Sequence, residues 1–387
     1  MVTGIIAEFN PLHSGHKLLI DEAKKQGEVV CVISGNFVQR GDTAIAEKSV
    51  RAKSALLSGA DLVIELPVLW SMSTAQNFAL GGVSALLNAG CECIMFGSEC
   101  GDIEKLTATA DILISPEFSD ILSQHLKTGI TFAKARELVA EELGAEKGIL
   151  SGANNNLAIE YILSAKTLGS KITFKTLKRQ GAMHDSMRED KFVSASLLRE
   201  KILQMDMDFI EKYIPAETKE TLFSSSFSDI SRLELAILAI LRTRSIEELK
   251  NLPDISEGVE NKLFSAINVA KSLDELYNLI KVKRYTLARI RRLVLSAFLG
   301  FENSFFLKPL PYIRILGFSK SGEKLLRTRL QNSSVPVITK IGDLEKLSPQ
   351  IKVVFETENR ATDLYALSLE EPFPRGIEYT RKIIKTE

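Results

Sequence analysis

The sequence predicts a doubly wound α/β domain followed by a mainly helical domain. Short apolar or β-branched segments recur through about the first 200 residues, and segments with apolar residues at three- and four-residue spacings lie between them. Strands that alternate with helices form a parallel sheet with helices on both faces. After about residue 205 the strand-like segments give way to longer helical patterns, which places a boundary between residues 1–205 and 206–387.

The predicted elements follow in chain order. The strands of the first region are VTGIIAEF, GEVVCVISG, ADLVIELP, CECIMFGSE and KITFKTLKR, and helices such as GHKLLIDEAKKQG and EKSVRAKSALLSGA separate them. The second region begins with the helical patterns SRLELAILAILRTRSIEELKNL, VENKLFSAINVAKSLDELYNLI and YTLARIRRLVLSAFLGF. Beyond Pro309, YIRILGF, VPVIT and IKVVFET are predicted as short strands, which gives this domain a mixed α/β tail.

Composition excludes some classes of protein. Lysine plus arginine equals aspartate plus glutamate at 49 each, so any nucleic-acid surface must be a local concentration of charge. No apolar run approaches the roughly 18 to 20 residues that cross a bilayer, and the start lacks a leader pattern, so we expect a cytoplasmic protein. Cys31, Cys91, Cys93 and Cys100 lack the spacing of a zinc site and are expected to be reduced thiols, with no metal bound.

The segment EFNPLHSGH holds two of the four histidines and follows the first predicted strand. We expect a loop from Glu8 to Ser14 and a helix from about Gly15, at the sheet edge where α/β domains bind ligands. The dinucleotide fingerprint G-x-G-x-x-G is missing here, which argues against an NAD-dependent oxidoreductase. Free N–H groups at the helix start, donors on His13 and His16, and close backbone access at Gly15 suit a nucleoside triphosphate.

This arrangement indicates a role in catalysis. When the α-phosphate is attacked and pyrophosphate leaves, negative charge grows on oxygens that fixed donors stabilise. His13 and His16 are therefore the candidate catalytic residues, and neither has to act as a base. The alternative is a pair of surface histidines at a helix start that have no function.

AEFNPLHSGH resembles the H-x-G-H signature of the nucleotidylyltransferase superfamily, whose members transfer a nucleotidyl group and release pyrophosphate. The superfamily's second phosphate motif, a serine-rich helix start that ends in arginine, is matched by FVSASLLRE, with Ser194, Ser196 and Arg199 as candidate phosphate ligands and Ser194 as the N-cap. The resemblance implies a Rossmann-like nucleotidylyltransferase domain.

A narrower resemblance covers residues 1 to about 199. SGNFVQRGDTAIAEKSVRAKSALLSGADLVIELP, FGSECGD, NNNLAIEYI and KRQGAMHD resemble, in order and spacing, the tRNA(Met) cytidine acetate ligase family. The resemblance implies a ligase that activates acetate with ATP and acetylates N4 of the wobble cytidine, C34, of elongator tRNA(Met), releasing AMP and pyrophosphate. Its implied partners are ATP, acetate and this tRNA, with Mg²⁺ carried on the triphosphate.

The resemblance also implies an ATP site. It comprises Ala7, Glu8, Phe9, Asn10, Pro11, Leu12, His13, Ser14, Gly15, His16, Lys17, Leu18, Leu19, Ile20, Gly101, Asn154 and Arg179. Where the family has Pro-Asn-Asn, this chain has Ala153-Asn154-Asn155, which keeps the amides but loses the rigidity of proline. Arg40 and Lys48 are further candidates for binding triphosphate, acetate or RNA. Asp42, Glu47 and Asp185 would bind magnesium or only solvate a loop.

A basic segment in the second region suits RNA. KVKRYTLARIRRLV carries no acidic residue, and its candidate tRNA-binding residues are Lys281, Lys283, Arg284, Arg289, Arg291 and Arg292. On a continuous helix, Arg284, Arg291 and Arg292 would share one face while Ile290, Leu293 and Val294 turn inward. The alternative is an ordinary solvated helix face. Tyr285 and KPLPYIRILGFSKSGEKLLRTRL add groups that would stack on or grip an RNA loop.

The motifs leave rival functions open. A nucleotidylyltransferase, or an acetate:protein ligase of the citrate lyase ligase type, would release pyrophosphate without tRNA. A non-catalytic adenine-nucleotide sensor that binds RNA would release none. Pyrophosphate release measured with and without tRNA and acetate separates these functions.

Overall fold

The computed structural model describes residues 1–179, 193–256, 258–282, 284–305 and 307–387. The strands are β1 (Val2–Ala7), β2 (Glu28–Ser34), β3 (Phe37–Val38), β4 (Asp42–Thr43), β5 (Leu62–Leu66), β6 (Cys93–Ser98), β7 (Thr173–Lys178), β8 (Ile313–Phe318), β9 (Val337–Ile338) and β10 (Ile384–Lys385). The five strands predicted in the first region are β1, β2, β5, β6 and β7. The short hairpin of β3 and β4 was not predicted.

Helices in the first region separate these strands. They are α1 (Ser14–Lys24), α2 (Lys48–Leu57), α3 (Val68–Ser71), α4 (Ala75–Asn88), α5 (Ile103–Leu113), α6 (Pro116–Lys127), α7 (Phe132–Glu142), α8 (Ala153–Thr167) and α9 (Ala195–Leu203). Side chains that accept a hydrogen bond from the first turn begin most of them, such as Thr74 before α4 and Asp102 before α5.

Helices dominate the second region. They are α10 (Met207–Ile210), α11 (Ala216–Phe223), α12 (Glu234–Leu241), α13 (Ile246–Lys250), α14 (Val259–Val269), α15 (Leu273–Ile280), α16 (Leu287–Leu299), α17 (Lys320–Thr328), α18 (Pro349–Ala366) and α19 (Ile377–Thr380). None of the described helices combines the length and the apolar character needed to cross a bilayer.

The main sheet has the strand order β10-β8-β5-β2-β1-β6-β7, with β9 paired to β8. Strands β2, β1, β6 and β7 run parallel to their neighbours, whereas β8 is antiparallel to β5. The sheet therefore draws strands from both predicted regions. From β1 the chain adds β2 and β5 on one side of the sheet, and then β6 and β7 on the other side. The topological switch point therefore lies between β1 and β6.

Both faces of the sheet are covered, which confirms the doubly wound prediction. Ile6 and Val30 pack on one face with α4 and α8, and Ile5 and Cys31 pack on the other face with α1 and α2. This alternation follows from the two-residue repeat of a strand. A separate apolar core joins α12–α16 to α18.

One strand prediction in the tail is wrong. YIRILGF and VPVIT contain β8 and β9, but IKVVFET lies within α18. Ser348 accepts a hydrogen bond from the Ile351 N–H and Pro349 occupies the first turn, which are helix-start signals. Val354 and Phe355 are buried while Val353 is exposed, as a helix face requires.

Candidate active site

The loop after β1 is held from several sides. Arg51 on α2 is fully buried, and its Nη1 donates to the backbone oxygen of Glu8 at 2.7 Å. The Asn10 side-chain oxygen accepts from the Ile45 N–H at 2.7 Å, and the Asn10–Pro11 peptide is cis. These contacts hold the chain where β1 ends and α1 begins.

The two histidines lie in contact at the start of α1. His13 is the N-cap, and its Nδ1 accepts from the Gly15 N–H at 3.0 Å. The His16 Nδ1 accepts from the His13 N–H at 3.4 Å, and the two rings stack with centroids 3.9 Å apart. Because each Nδ1 is an acceptor, the hydrogen of each neutral ring is on Nε2, and the pair presents two Nε2–H donors.

Both imidazoles are neutral near pH 7. Burial lowers the pKa of His13 to about 3, and the positive charge of Arg179 acts in the same direction. Burial lowers the pKa of His16 well below its usual value, and His13 and Arg179 add to this shift. The sequence left neutral and protonated forms open, and the structure favours neutral donors.

A cleft of about 1120 Å³, measured with its open mouth, lies at the switch point. It is lined by Ile6, Ala7, Glu8, Phe9, Asn10, His13, His16, Leu19, Gln39, Arg40, Phe78, Phe96, Gly97, Asn154, Leu157, Tyr161, Arg179, Ser194, Ala195, Ser196 and Arg199. A second cavity of about 620 Å³ shares both histidines and Arg179, and adds Gly15, Leu18, Leu177, Lys178 and Val193. The histidines and Arg179 thus border both cavities.

Three guanidinium groups make the larger cleft suitable for an anion. Arg199 donates through Nη1 to the Asn10 backbone oxygen at 2.8 Å and through Nη2 to Ser196 Oγ at 3.1 Å. Ser194 is the N-cap of α9, as predicted, and accepts from the Leu197 N–H. Arg40 and Arg179 line the same cleft, so three permanent positive charges surround the helix starts of α1 and α9.

Asn154 is positioned by the carboxylate of Glu99, which no sequence motif indicated. Glu99 accepts from the Asn154 N–H at 2.9 Å, from its side-chain amide at 2.7 Å and from the Asn155 N–H at 2.6 Å. Burial raises the pKa of Glu99, but these hydrogen bonds outweigh burial and leave its pKa lowered. The Asn154 oxygen then accepts from Arg179 Nη1 at 3.4 Å, which ties α8 to the cleft.

The sequence profile of the HIGH Nucleotidyl Transferase family matches residues 1–378. The chain belongs to this family. Relatives named tRNA(Met) cytidine acetate ligase, from Thermoanaerobacter sp. (strain X514) and Caldanaerobacter subterraneus subsp. tengcongensis, are 40% and 38% identical to it over 99% of both chains. These matches confirm the family resemblance read from the sequence.

Two solved structures share the whole fold. The crystal structure of Thermotoga maritima TmcAL in its apo form I superposes with a TM-score of 0.92, at 28% identity over 99% of both chains. A second crystal structure of the same protein, bound with alpha-thio ATP, superposes with a TM-score of 0.90 at the same identity and coverage. The predicted α/β class of the HIGH nucleotidyl transferase chain is therefore confirmed along its full length.

The predicted ATP segment from Ala7 to Ile20 divides into residues that border a cavity and residues that support them. Pro11, Leu12, Ser14, Lys17 and Ile20 line neither cavity. Leu12 and Ile20 belong to the buried core, and Ser14 Oγ donates to the Tyr213 backbone oxygen at 2.8 Å. Lys17 forms an ion pair with Asp21.

Gly101 also lies outside both cavities. Its φ of +66° falls in the left-handed region, and a Cβ there would stand 2.5 Å from the Lys178 Cβ. Both constraints require glycine in the turn after β6. Its proposed contact with nucleotide stays a prediction.

Lys48 is not brought to the cleft. Its ammonium is fully buried and pairs with Glu65, with Glu358 at 2.9 Å and with Glu378 at 2.7 Å. Burial lowers the pKa of Lys48, but the three carboxylates outweigh burial and raise it above its usual value. Lys48 therefore joins β5 to α18 and α19, a position that does not support a role in binding substrate.

Of the candidate magnesium ligands, Glu47 and Asp42 bind separate partners within the protein. Glu47 pairs with Arg381 at 2.6 Å and accepts from the Ser49 N–H, while Asp42 accepts from the Thr43 N–H at 2.9 Å. Asp185 lies outside the described residues. Within the described ranges, no group of three or more His, Cys, Asp or Glu side chains is placed to hold a metal ion, and the thiols of Cys31, Cys91 and Cys93 are buried.

The basic segment forms a smaller stripe than predicted. Helix α16 begins at Leu287, so Arg284 precedes the helix and does not share its face with Arg291 and Arg292; this part of the prediction is wrong. Thr286, whose side chain accepts from the Arg289 N–H, is the N-cap that starts the helix there. Lys281 and Arg284 are exposed, and Lys283 lies outside the described residues.

Folding brings acidic partners to two of these arginines. Asp254 pairs with Arg292 at 3.0 Å and with Arg289 at 3.5 Å. Arg291 instead lies over the Tyr277 ring at 5.7 Å and faces the charge of Asp42. Asp254 thus engages Arg289 and Arg292, whereas Lys281 and Arg284, which precede α16, are exposed.

A hairpin joins α16 to the cleft. Gln39, in the turn between β3 and β4, donates its N–H to Glu8 Oε1 at 2.9 Å and accepts from Arg292 Nη1 at 3.3 Å. A Cβ on Gly41, whose φ is +73°, would stand 2.5 Å from the Arg292 backbone nitrogen. No side-chain pattern in the sequence points to Gln39, because both contacts use its backbone N–H and oxygen.

Proposed function

We propose that this chain is a tRNA(Met) cytidine acetate ligase that uses ATP to acetylate N4 of the wobble cytidine of elongator tRNA(Met). The observation that carries the proposal is full-length likeness to relatives of that name, at 40% identity over 99% of the chain. The neutral histidine pair and three arginines in one cleft support it, because they suit a triphosphate. A tRNA substrate supports a cytoplasmic location.

In the first step, an acetate oxygen attacks the α-phosphorus of ATP, and pyrophosphate leaves. The Nε2–H groups of His13 and His16 donate to the phosphate oxygens on which charge grows, and neutral donors need no proton transfer to do so. Arg40, Arg179 and Arg199 neutralise the triphosphate. The second cavity, which is bordered by Leu18, Leu177 and Val193, suits the adenine ring.

Mg²⁺ would arrive on the triphosphate. Among the described residues, a single carboxylate lines the cleft, which is too few to hold a cation by protein ligands, so Mg²⁺ would be held by phosphate oxygens and water. The ion would supply charge neutralisation when bound.

In the second step, the cytidine N4 amine attacks the carbonyl of acetyl-adenylate, and AMP leaves. Activation is needed because a carboxylate is a poor electrophile. The tRNA would lie across both regions, with phosphates on Arg291, Arg284 and Lys281 and the wobble base reaching the cleft past the β3–β4 hairpin. That base is already single-stranded, which avoids most of the cost of flipping.

The test is acetylation by the purified protein. We expect ATP, Mg²⁺, labelled acetate and tRNA(Met) to give N4-acetylcytidine, detected by mass spectrometry of the digested tRNA. Leaving out acetate, ATP or tRNA supplies the controls. Pyrophosphate release without any acetylated tRNA, beside an active ligase as reference, would contradict the proposal and favour a nucleotidylyltransferase or a protein-acetylating ligase.

A further inference from the structure

The cleft contains one acidic side chain, Glu8, among the described residues that line it. The second cavity has none along its described lining. Glu8 stands immediately after β1, five residues before His13, so the carboxylate and the histidine pair belong to one loop. The first step has no use for this negative charge, since acetate and triphosphate are both anions.

The second step needs a proton acceptor. As the N4 amine attacks, its nitrogen gains positive character and must lose a proton before AMP can leave with a stable amide behind it. The exocyclic amine is conjugated with the pyrimidine ring, which makes it a weak nucleophile. A positioned base therefore matters more here than for an alkyl amine.

The other polar groups of the cleft are poor acceptors. The lowered pKa values of His13 and His16 mean that their imidazoles hold an extra proton weakly at neutral pH. Burial raises the pKa of Tyr161, so its phenolate form is scarce. The three arginines of the cleft stay protonated.

Glu8 is held as a positioned base would be. Its backbone oxygen accepts from Arg51, and its Oε1 accepts from the Gln39 N–H at 2.9 Å. The bond to Gln39 fixes the carboxylate through Oε1 and does not involve Oε2. Gln39 in turn contacts Arg292 of α16, the helix proposed to meet tRNA. The carboxylate thus stands on the side of the cleft from which the acceptor base would arrive.

We propose that Glu8 is the general base for acetyl transfer. This inference rests on the proposed function. The N4–carbon bond forms and the bond from the carbonyl carbon to the phosphate oxygen breaks, with its electron pair leaving on AMP. The N4 proton passes to a carboxylate oxygen of Glu8, which later releases it to water.

The test separates the two steps. Glu8→Gln keeps an oxygen for the Gln39 N–H but removes the basic carboxylate. We expect acetate-dependent exchange between pyrophosphate and ATP to fall far less than acetyl transfer. Single-turnover acetylation of tRNA should fall by about 100-fold or more, the usual size of a general-base contribution.

A second nucleophile excludes a merely structural effect. Hydroxylamine is reactive enough to trap acetyl-adenylate without an enzymatic base, so the rate at which Glu8→Gln forms acetohydroxamate should follow its rate of exchange and not its rate of transfer to tRNA. Glu8→Asp should recover part of the transfer rate. Glu22→Gln, which changes a carboxylate paired with Lys25 on the surface of α1, is the matched control and should behave as wild type in every assay.

The outcomes distinguish this inference from the proposed function. Loss of exchange together with transfer in Glu8→Gln would assign Glu8 to ATP or metal binding, and full transfer would show that no base acts there; either result overturns the inference. A wild-type protein that neither exchanges pyrophosphate nor acetylates tRNA would overturn the proposed function, and the inference with it.

Discussion

His13 performs two tasks with two different atoms. Nδ1 caps α1 by accepting a hydrogen bond from the Gly15 N–H. Nε2–H is left to donate a hydrogen bond to a ligand. Asparagine is a strong N-cap but lacks a second donor at the Nε2 position, so the two tasks can be separated by mutation.

We expect His13→Asn to keep the stability of the wild type and His13→Ala to lower the free energy of unfolding by about 1 kcal/mol, the usual value of an N-cap. Both variants should lose roughly 100-fold or more in acetate-dependent pyrophosphate exchange, as expected for a lost transition-state donor. Urea titrations and exchange assays measure the two effects. Normal exchange in His13→Asn would show that Nε2 has no catalytic role.

The same burial makes stability depend on pH. The pKa of His13 is about 3 in the folded chain and near 6.5 when the chain unfolds, so between these values the unfolded chain binds more protons. The stability due to neutral His13 is complete above about pH 6.5 and is lost as pH falls toward 3, by up to about 1.4 kcal/mol per pH unit. Between pH 7.5 and pH 5, the urea midpoint of the wild type should fall more than that of His13→Asn. An equal fall in both proteins would contradict this.

At the scale of elements, a buried charge cluster connects helices from distant parts of the chain. Lys48 begins α2, Glu65 lies on β5, Glu358 on α18 and Glu378 on α19. Burial and the neighbouring Glu65 raise the pKa of Glu358 to about 7, although Lys48 lowers it. Arg314 also pairs with Glu65 and Glu378, so removing Lys48 affects Glu358 most.

We expect Lys48→Met to lower the free energy of unfolding by about 3 to 5 kcal/mol, because the buried carboxylate of Glu358 loses the cation that it pairs with. Activity per folded molecule should stay close to wild type, since Lys48 does not line the cleft. Lys25→Met, at an exposed position on the surface, is the control and should change stability little. Stable Lys48→Met protein without pyrophosphate exchange would restore a role in substrate binding.

Helix α16 gives the sharpest test of the RNA surface. We expect Arg291→Ala and Arg284→Ala each to weaken tRNA binding and to reduce the slope of log affinity against log salt by about 0.7 to 0.9, the effect of one lost phosphate contact. Pyrophosphate exchange should not change. Arg327→Ala on α17, an exposed arginine paired with Glu323, is the control. Unchanged tRNA affinity in both variants would move the RNA surface elsewhere.

Local patterns predicted the elements whose signals lie within a few residues of each other. The five strands of the first region and the histidine loop at the switch point could be predicted because alternation, helix caps and glycine turns are local. Arg284 was wrongly placed on the helix because basic residues occur both before and after Thr286. Only the N-cap at Thr286 shows that the helix starts at Leu287. The buried role of Lys48 could not be predicted, because the three carboxylates that pair with it come from the distant positions 65, 358 and 378. The sequence around a residue contains no signal for partners that lie far along the chain.

At the scale of the whole molecule, the two predicted regions share one sheet. Strand β8 pairs with β5 from Leu62 to Glu65, and α18 reaches both the charge cluster and the helical core. Trp70, the single tryptophan of the chain, is fully buried on the sheet side and donates to the Lys308 backbone oxygen at 2.7 Å. Its fluorescence therefore reports on the contact between the regions.

We expect the regions to unfold together. Tryptophan fluorescence and far-ultraviolet circular dichroism should give the same urea midpoint, because loss of β8 exposes the core of the sheet. Two separate midpoints, with fluorescence lost first, would show that the helical region is stable on its own.

The pairing of β5 with β8 has a consequence for synthesis on the ribosome. About 250 residues separate the two strands, so one edge of β5 stays unpaired while the intervening helices are synthesised. An open apolar edge of this kind invites association between nascent chains. Translation that stops before Ile313 would leave that edge permanently bare, and the shortened product should accumulate as aggregate.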